Sequence, residues 1–217
     1  MFPARPAPRA APPQGIRAAL DLADWRRQVN EAYAAVRRHP DPARAWVEWR
    51  ESRDALIRRH PMSPLDPAGQ AGFAATPFYS YRPEWRFAVE LGAAGGDTLT
   101  LDLGSDGRAR LTPVARTRGL VDATGGELTL FRLEGYAGGL ILPFADATSG
   151  WSTYPGGRYV IDTIKGADLG CDGERLIVDF NFAYNPSCAY SPRWTCPLAP
   201  VENRLPRAIE AGERRSC

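Results

Sequence analysis

The chain has 217 residues, with 27 Lys and Arg against 25 Asp and Glu, and a formal net charge of +2 at pH 7. Acids and bases are interspersed and the six Trp are scattered, so neither the basic face that duplex nucleic acid demands nor a stacking strip for single strands is present. No apolar run approaches a membrane span, and a chain of this length can bury roughly 70% of its extended surface in one core without staples.

Residues 1–20 open with MFPARPAPRAAPPQ. Such a Pro/Ala/Arg-rich stretch has too little apolar surface to offset the entropy of ordering, and is predicted to be a disordered tail. It lacks the apolar centre of an export signal, which points to the cytoplasm, where thiols stay reduced.

Residues 21–60 read as a helical appendage. Leu22, Trp25, Val29, Ala32, Tyr33 and Val36 recur at helical spacing. HPDP then intervenes, with Asp41 placed as N-cap and Pro42 in the first turn of a second helix. That helix carries Trp46, Trp49, Leu56 and Ile57. Arg53 lies seven residues from Trp46, hence on the same apolar stripe. Snorkelling to solvent is the favoured reading; reaching a buried acceptor on the sheet domain is the alternative. His39 and His60, the only two histidines, each precede proline at a helix end and read as C-terminal caps.

Residues 61–217 are predicted to be an antiparallel β domain. Past a linker-like cluster of Pro61, Pro64 and Pro67, short apolar runs broken by Gly, Asp and Pro fall at 85–91, 98–103, 108–114, 119–122, 127–133 and 139–144. GSDG and ATGG have hairpin-turn chemistry. With two further strands at 158–164 and 175–183 this makes about eight in succession, without helical period between them. The fold class is therefore mainly β: an antiparallel sandwich or barrel with two N-terminal helices and an irregular Pro-rich C-terminal segment.

If the last two strands form a hairpin, one register parity sets apolar face on apolar face. That register brings Arg158 near Asp179 and Asn181 on the face away from the core. A guanidinium held by a carboxylate beside an amide can receive a carboxylate, phosphate or carbonyl. The plainer reading is a cross-strand ion pair on a wet face, worth well under ~1 kcal/mol. Before this hairpin, the hydroxyl-rich loop FADATSGWSTYPGGRY offers Asp146, Thr148, Ser149, Thr153 and Tyr154 as a pocket rim. Satisfying its own backbone is the simpler role for that loop. No Walker or dinucleotide fingerprint occurs, so no cofactor is predicted.

The distal block NFAYNPSCAYSPRWTCPLAPVENRLP cannot be regular structure, because its five prolines remove donors. Asn181, Asn185 and Asn203 are read as pins for it, with ligand orientation as the alternative. Cys188 and Cys196 admit four readings, in this order: buried thiols, a disulfide or redox pair, a nucleophilic Cys188, and a metal site. The metal reading is weakest, since the spacing is not CxxC and the histidines are remote in sequence.

Together WRESRDALIRRH, FADATSGWSTYPGGRY and the distal block resemble the bacterial family catalogued as domain of unknown function 1684. The resemblance spans Ala43 to Glu213, and its matching positions include Arg53, Arg158, Asn185, Cys188 and Glu213. It implies one β domain and carries no activity with it.

Three functional classes follow from these residues. The first is a small-molecule-binding protein or cofactor-independent enzyme, favouring an anionic or carbonyl-bearing ligand, its pocket lying between the C-terminal hairpin and the Asn/Pro/Cys loop. There Arg158 would bind the ligand, Asp179 would orient it, and Asn181 or Asn185 would donate to a developing oxyanion. Cys188 and Tyr159 are further candidates, with Thr148, Ser149, Tyr154 and Asn203 at the rim. The second is a non-catalytic interaction domain using the Trp-bearing helices, and the third a thiol redox or metal protein using Cys188 and Cys196.

Overall fold

The computed structural model describes residues 15–103, 107–135 and 138–215. One antiparallel sheet of eight strands curls into a half-barrel. Its strands are β1 (Arg86–Gly92), β2 (Leu99–Asp102), β3 (Arg108–Arg118), β4 (Thr129–Leu133), β5 (Gly139–Phe144), β6 (Arg158–Asp162), β7 (Cys171–Asp172) and β8 (Arg175–Asp179). Their order is β6-β5-β4-β3-β1-β8-β7, with β2 beside β3. The expected mainly-β antiparallel class is the one observed.

Three local expectations change. The run 119–122 is no strand: β3 continues to Arg118, and α4 (Val121–Thr124) follows, closed by Gly125 at φ 82°. ATGG is therefore a helix stop. Of GSDG, residues 104–106 lie outside the described residues; β2 and β3 pair antiparallel on either side of it. The proline cluster holds a short helix, α3 (Pro67–Gly72), whose N-cap Asp66 accepts from the Gly69 N–H at 2.7 Å.

The largest correction concerns the C-terminal hairpin. β6 pairs with β5, and β8 pairs with β1 and β7, so the two strands are not hairpin partners. Alternation did not name the neighbours, and it failed on faces as well: Tyr159 and Ile161, and Phe180 and Phe182, lie in opposite cores, the latter pair because β8 ends at Asp179 in a turn over Phe180–Phe182. β6 is buried on both faces, so it has no wet side on which to display Arg158. Its free edge is met by the Tyr159–Tyr184 bridge.

Both faces of the sheet are covered. One packs Leu130, Leu142, Phe144, Val178 and Phe180 under Leu205, Ile209 and Ala211 of the irregular C-terminal segment. The other packs Leu111, Phe131, Ile141, Tyr159 and Phe182 against α1 (Ile16–Arg38) and α2 (Pro42–Arg59). Helix α1 begins before Asp21, where periodicity had placed its start. At α2 the sequence signal holds: the Asp41 carboxylate accepts from the Ala43 and Arg44 N–H groups, and Pro42 occupies the first turn.

Trp46 and Trp49 are buried against the sheet, and the Trp46 indole donates to the Asn181 carbonyl at 2.9 Å. Two indoles of about 200 Å² each, at about 25 cal/mol/Å², contribute about 10 kcal/mol before ordering entropy is subtracted. The helices are thus fixed to the sheet, and these Trp offer no exposed face to a partner. No described helix is long and apolar enough to cross a membrane.

Candidate functional site

The helices deliver three side chains to one place. Tyr33 comes from α1, and Trp49 and Arg53, one turn apart, come from α2. Arg53 does not snorkel. Its Nη2 donates to Glu213 Oε2 at 2.8 Å, and its guanidinium lies over the Tyr184 ring, 4.8 Å from the centroid. The less favoured reading, a buried acceptor on the sheet domain, is the correct one, the acceptor lying on its irregular C-terminal segment.

Glu213 is 1% exposed, and its carboxylate is fully engaged. Besides Arg53 it accepts from the Asn185 backbone N–H at 3.0 Å, from Asn185 Nδ2 at 2.8 Å and from the Tyr190 hydroxyl. Such satisfaction is what makes a buried carboxylate tolerable. Its position depends on Gly212 at φ 77°: a Cβ there would lie 2.6 Å from the Phe180 carbonyl. Burial works against the Arg53 charge, but Tyr190 and Glu213 outweigh it and hold its pKa above the usual arginine value.

Arg158, expected at the ligand, is a support instead. Its guanidinium is buried over the Phe144 ring and donates to the carbonyls of Ile209, Ala211 and Glu213, while Asp146 sits 3.5 Å away as counter-charge. Arg158 thereby pins the strap that carries Glu213. Asp179 lies elsewhere, paired with Arg86 Nη1 at 3.2 Å and accepting from the N–H and Nδ2 of Asn181. The expected Arg158–Asp179–Asn181 cluster is divided between separate polar networks.

Most remaining candidates also have structural partners. Asn181 clamps the Arg82 backbone through both amide atoms. Asn203, fully buried, accepts from the Thr129 N–H and donates to the Thr129 and Pro143 carbonyls. Thr148 and Ser149 bond Asp146, and the Tyr159 hydroxyl caps the Pro197 carbonyl. Tyr154 and Cys188 do meet, hydroxyl to sulfur at 3.6 Å. Among the described residues no three His, Cys, Asp or Glu side chains gather as a metal site would require.

Asn185 is the sequence candidate that reaches the pocket between the helices and the sheet. A pocket of ≈ 50 Å³ lies between the helices and the sheet, lined by Trp25, Tyr33, Trp49, Arg53, Lys165, Tyr184, Asn185 and Tyr190 among others. Asn185 and Tyr190 also line a second pocket of ≈ 220 Å³, shared with Tyr154 and Arg215. A wider groove follows the outer seam of α1 and α2, but its Asp21 and Asp24 are already paired with Arg17 and with Arg27, Gln28 and His60.

Three residues that line the first pocket each carry a buried polar atom without a partner among the described residues: Tyr33 Oη, Arg53 Nε and Asn185 Oδ1. The Trp49 indole faces the Tyr33 oxygen without reaching hydrogen-bonding geometry, so the phenol proton still lacks an acceptor. Burial first, then the negative charges of Asp162 and Asp168, raises the Tyr33 pKa against the lowering by Arg53. Tyr33 is therefore a neutral donor. The open valences of the pocket are two donors and one acceptor.

Sequence reasoning counted Tyr33 only among the core-facing stripe of the first helix and left Tyr190 and Lys165 unremarked. Tyr33 sits in a helical stripe indistinguishable from core, and nothing local marks its hydroxyl as unpaired. Arg53 was the one visible signal, a charge on an apolar stripe.

A family model described as Protein of unknown function (DUF1684) matches residues 71–214. No curated protein matches the chain. The solution NMR structure of the uncharacterized protein from gene locus rrnAC0354 of Haloarcula marismortui is 30% identical, covering 90% of this chain and 96% of its own, with a TM-score of 0.56.

Proposed function

Because the chain belongs to the DUF1684 family, whose function is unknown, we propose from its own geometry that it binds a small neutral molecule through a carbonyl group that also carries an N–H or O–H, such as a carboxamide or a hydroxy-ketone. The observation that carries this reading is that three residues lining one cavity, Tyr33, Arg53 and Asn185, each carry a buried polar atom without a partner among the described residues: Oη, Nε and Oδ1. Buried polar groups in folded chains are almost always satisfied, and each exception calls for an explanation. The ligand carbonyl accepts from Tyr33 and Arg53, and its own donor is taken by Asn185.

Charge separates the anionic from the neutral ligand. Arg53 is already neutralised by Glu213, and Lys165 by Asp162 at 2.8 Å. A buried anion would find no uncompensated cation beside it, and desolvating it would cost several kcal/mol (order of magnitude). Size sets a second bound: ≈ 50 Å³ encloses one functional group and a few heavy atoms, well short of the roughly 300 Å³ of a drug-sized site. The aromatic walls of Trp25, Trp49 and Tyr184 suit an apolar remainder. The proposal keeps the cytoplasmic setting and the absence of a cofactor expected from the sequence.

Titration with propionamide, lactamide and hydroxyacetone, followed by fluorescence of the wall tryptophans, tests this. Saturable quenching that weakens about tenfold in Tyr33→Phe, the loss of roughly 1.4 kcal/mol, is the expected result. No saturable binder in the class, or binding indifferent to Tyr33→Phe, overturns it.

A further inference from the structure

Three residues beyond Asn185, Cys188 begins a feature that the binding site does not use. The Cys188 backbone N–H donates to Cys196 Sγ at 3.4 Å, which holds the two cysteines side by side. The segment between them, AYSPRWT, loops out and returns with Pro192 and Pro197 restricting its path. Both cysteines are half-buried, so neither is sealed in the core. The Tyr154 hydroxyl donates to Cys188 Sγ at 3.6 Å.

We propose that Cys188 and Cys196 are a redox-active dithiol that closes reversibly to an intramolecular disulfide by exchange with a low-molecular-weight disulfide. Roles follow from the hydrogen bonds. Cys188 Sγ accepts the Tyr154 O–H, so its sulfur is the one prepared to carry negative charge. The hydrogen bond to Cys188, and then burial, pushes the Cys196 thiol up, which keeps it protonated as the resolving partner. Burial and the bond to Cys188 push Tyr154 up to about 12, so it stays a donor.

The exchange balances in two steps. Cys188 gives up its proton and attacks one sulfur of the small disulfide, releasing one small thiolate that takes up a proton. Cys196 then loses its proton, attacks the Cys188 sulfur of the mixed disulfide and expels the second small thiolate, which is protonated in turn. Two protein thiols are oxidised by two electrons, and one small disulfide is reduced to two thiols. Closure also ties down the segment that supplies Asn185 and Tyr190 to the pocket. That consequence rests on the proposed binding role, whereas the closure itself does not.

Reduced full-length protein incubated in glutathione buffers of stepped oxidised fraction, alkylated and digested with trypsin, provides the test. Arg175, Arg193 and Arg204 place Cys188 and Cys196 on separate tryptic peptides. The expected product is one cross-linked pair of those peptides that rises with oxidised fraction and disappears on re-reduction. In Cys196→Ser, glutathione remains on Cys188; in Cys188→Ser, Cys196 takes up far less; in Cys171→Ser, closure is unchanged. A stable glutathione adduct on wild-type Cys188 without the cross-link overturns the proposal. So does a cross-link to the exposed Cys171, or modification of Cys171 while Cys188 and Cys196 stay unmodified throughout. Because the readout is covalent, it stands or falls independently of ligand binding.

Discussion

Replacing Tyr33 by Phe should stabilise the ligand-free protein. A tyrosine whose hydroxyl is bonded in the folded state loses about 1 kcal/mol when the oxygen is removed, because a net favourable hydrogen bond disappears. Tyr33 is 2% exposed and its hydroxyl has no partner among the described residues. Leaving a group of this kind dry costs about 1–3 kcal/mol. Taking the lower end of that range, the gain should be about 1 kcal/mol. For a chain of this size that raises Tm by about 2–4 °C. Urea unfolding monitored by circular dichroism gives the sign directly, provided the m-value is unchanged. A loss of about 1 kcal/mol or more would refute the reasoning, since it would mean that the hydroxyl is already satisfied.

Other perturbations have worked signs. Glu213→Gln leaves the Arg53 guanidinium without its counter-charge; breaking a buried pair costs about 3–5 kcal/mol. Arg53 keeps 16% side-chain exposure, so about 3 kcal/mol in urea titration is expected, and a loss below about 1 kcal/mol would contradict a buried pair. Asn203→Ala strands the Thr129 N–H and the Thr129 and Pro143 carbonyls. It should cost at least about 3 kcal/mol, whereas a surface-like change under about 0.5 kcal/mol would rule out the clamp. Asp179 has its pKa raised above 3.8, chiefly by burial, against the lowering by Asn181 and Arg86. A raised folded pKa contributes stability that is full below 3.8 and is lost as pH rises through the folded value. Wild type should therefore lose ground to Asp179→Asn as pH rises from about 3.5 to 6 in parallel urea titrations, and the opposite trend would show that Arg86 dominates.

Helix caps and strand runs were legible because their signals are local. Asp41 with Pro42 declares a helix start, and the apolar runs between turn residues fix β3, β4 and β5 to within a few residues. Pairing was not legible for β6 and β8, since alternation does not name the adjacent strand. Burial of both faces of β6 then converted Arg158 from a displayed group into an internal strut. The site escaped for a related reason. Arg53 and Glu213 lie 160 residues apart, and only the folded sheet reveals that the odd charge on the helix stripe has an acceptor. Asn181 and Asn203 tie the distal block to the Arg82, Thr129 and Pro143 carbonyls, as an amide that both donates and accepts can do.

The Arg53 Nε–H proton is the most direct witness of the binding site. It is a distinct resonance in a ¹⁵N-correlated NMR spectrum, and it belongs to a pocket-lining residue whose Nε has no partner among the described residues. Titrating lactamide should move that resonance saturably downfield together with the Trp49 indole N–H, and Tyr33→Phe should weaken the response about tenfold. A resonance that stays fixed while lactamide binds elsewhere, or that does not respond to any small carbonyl compound, would contradict the account.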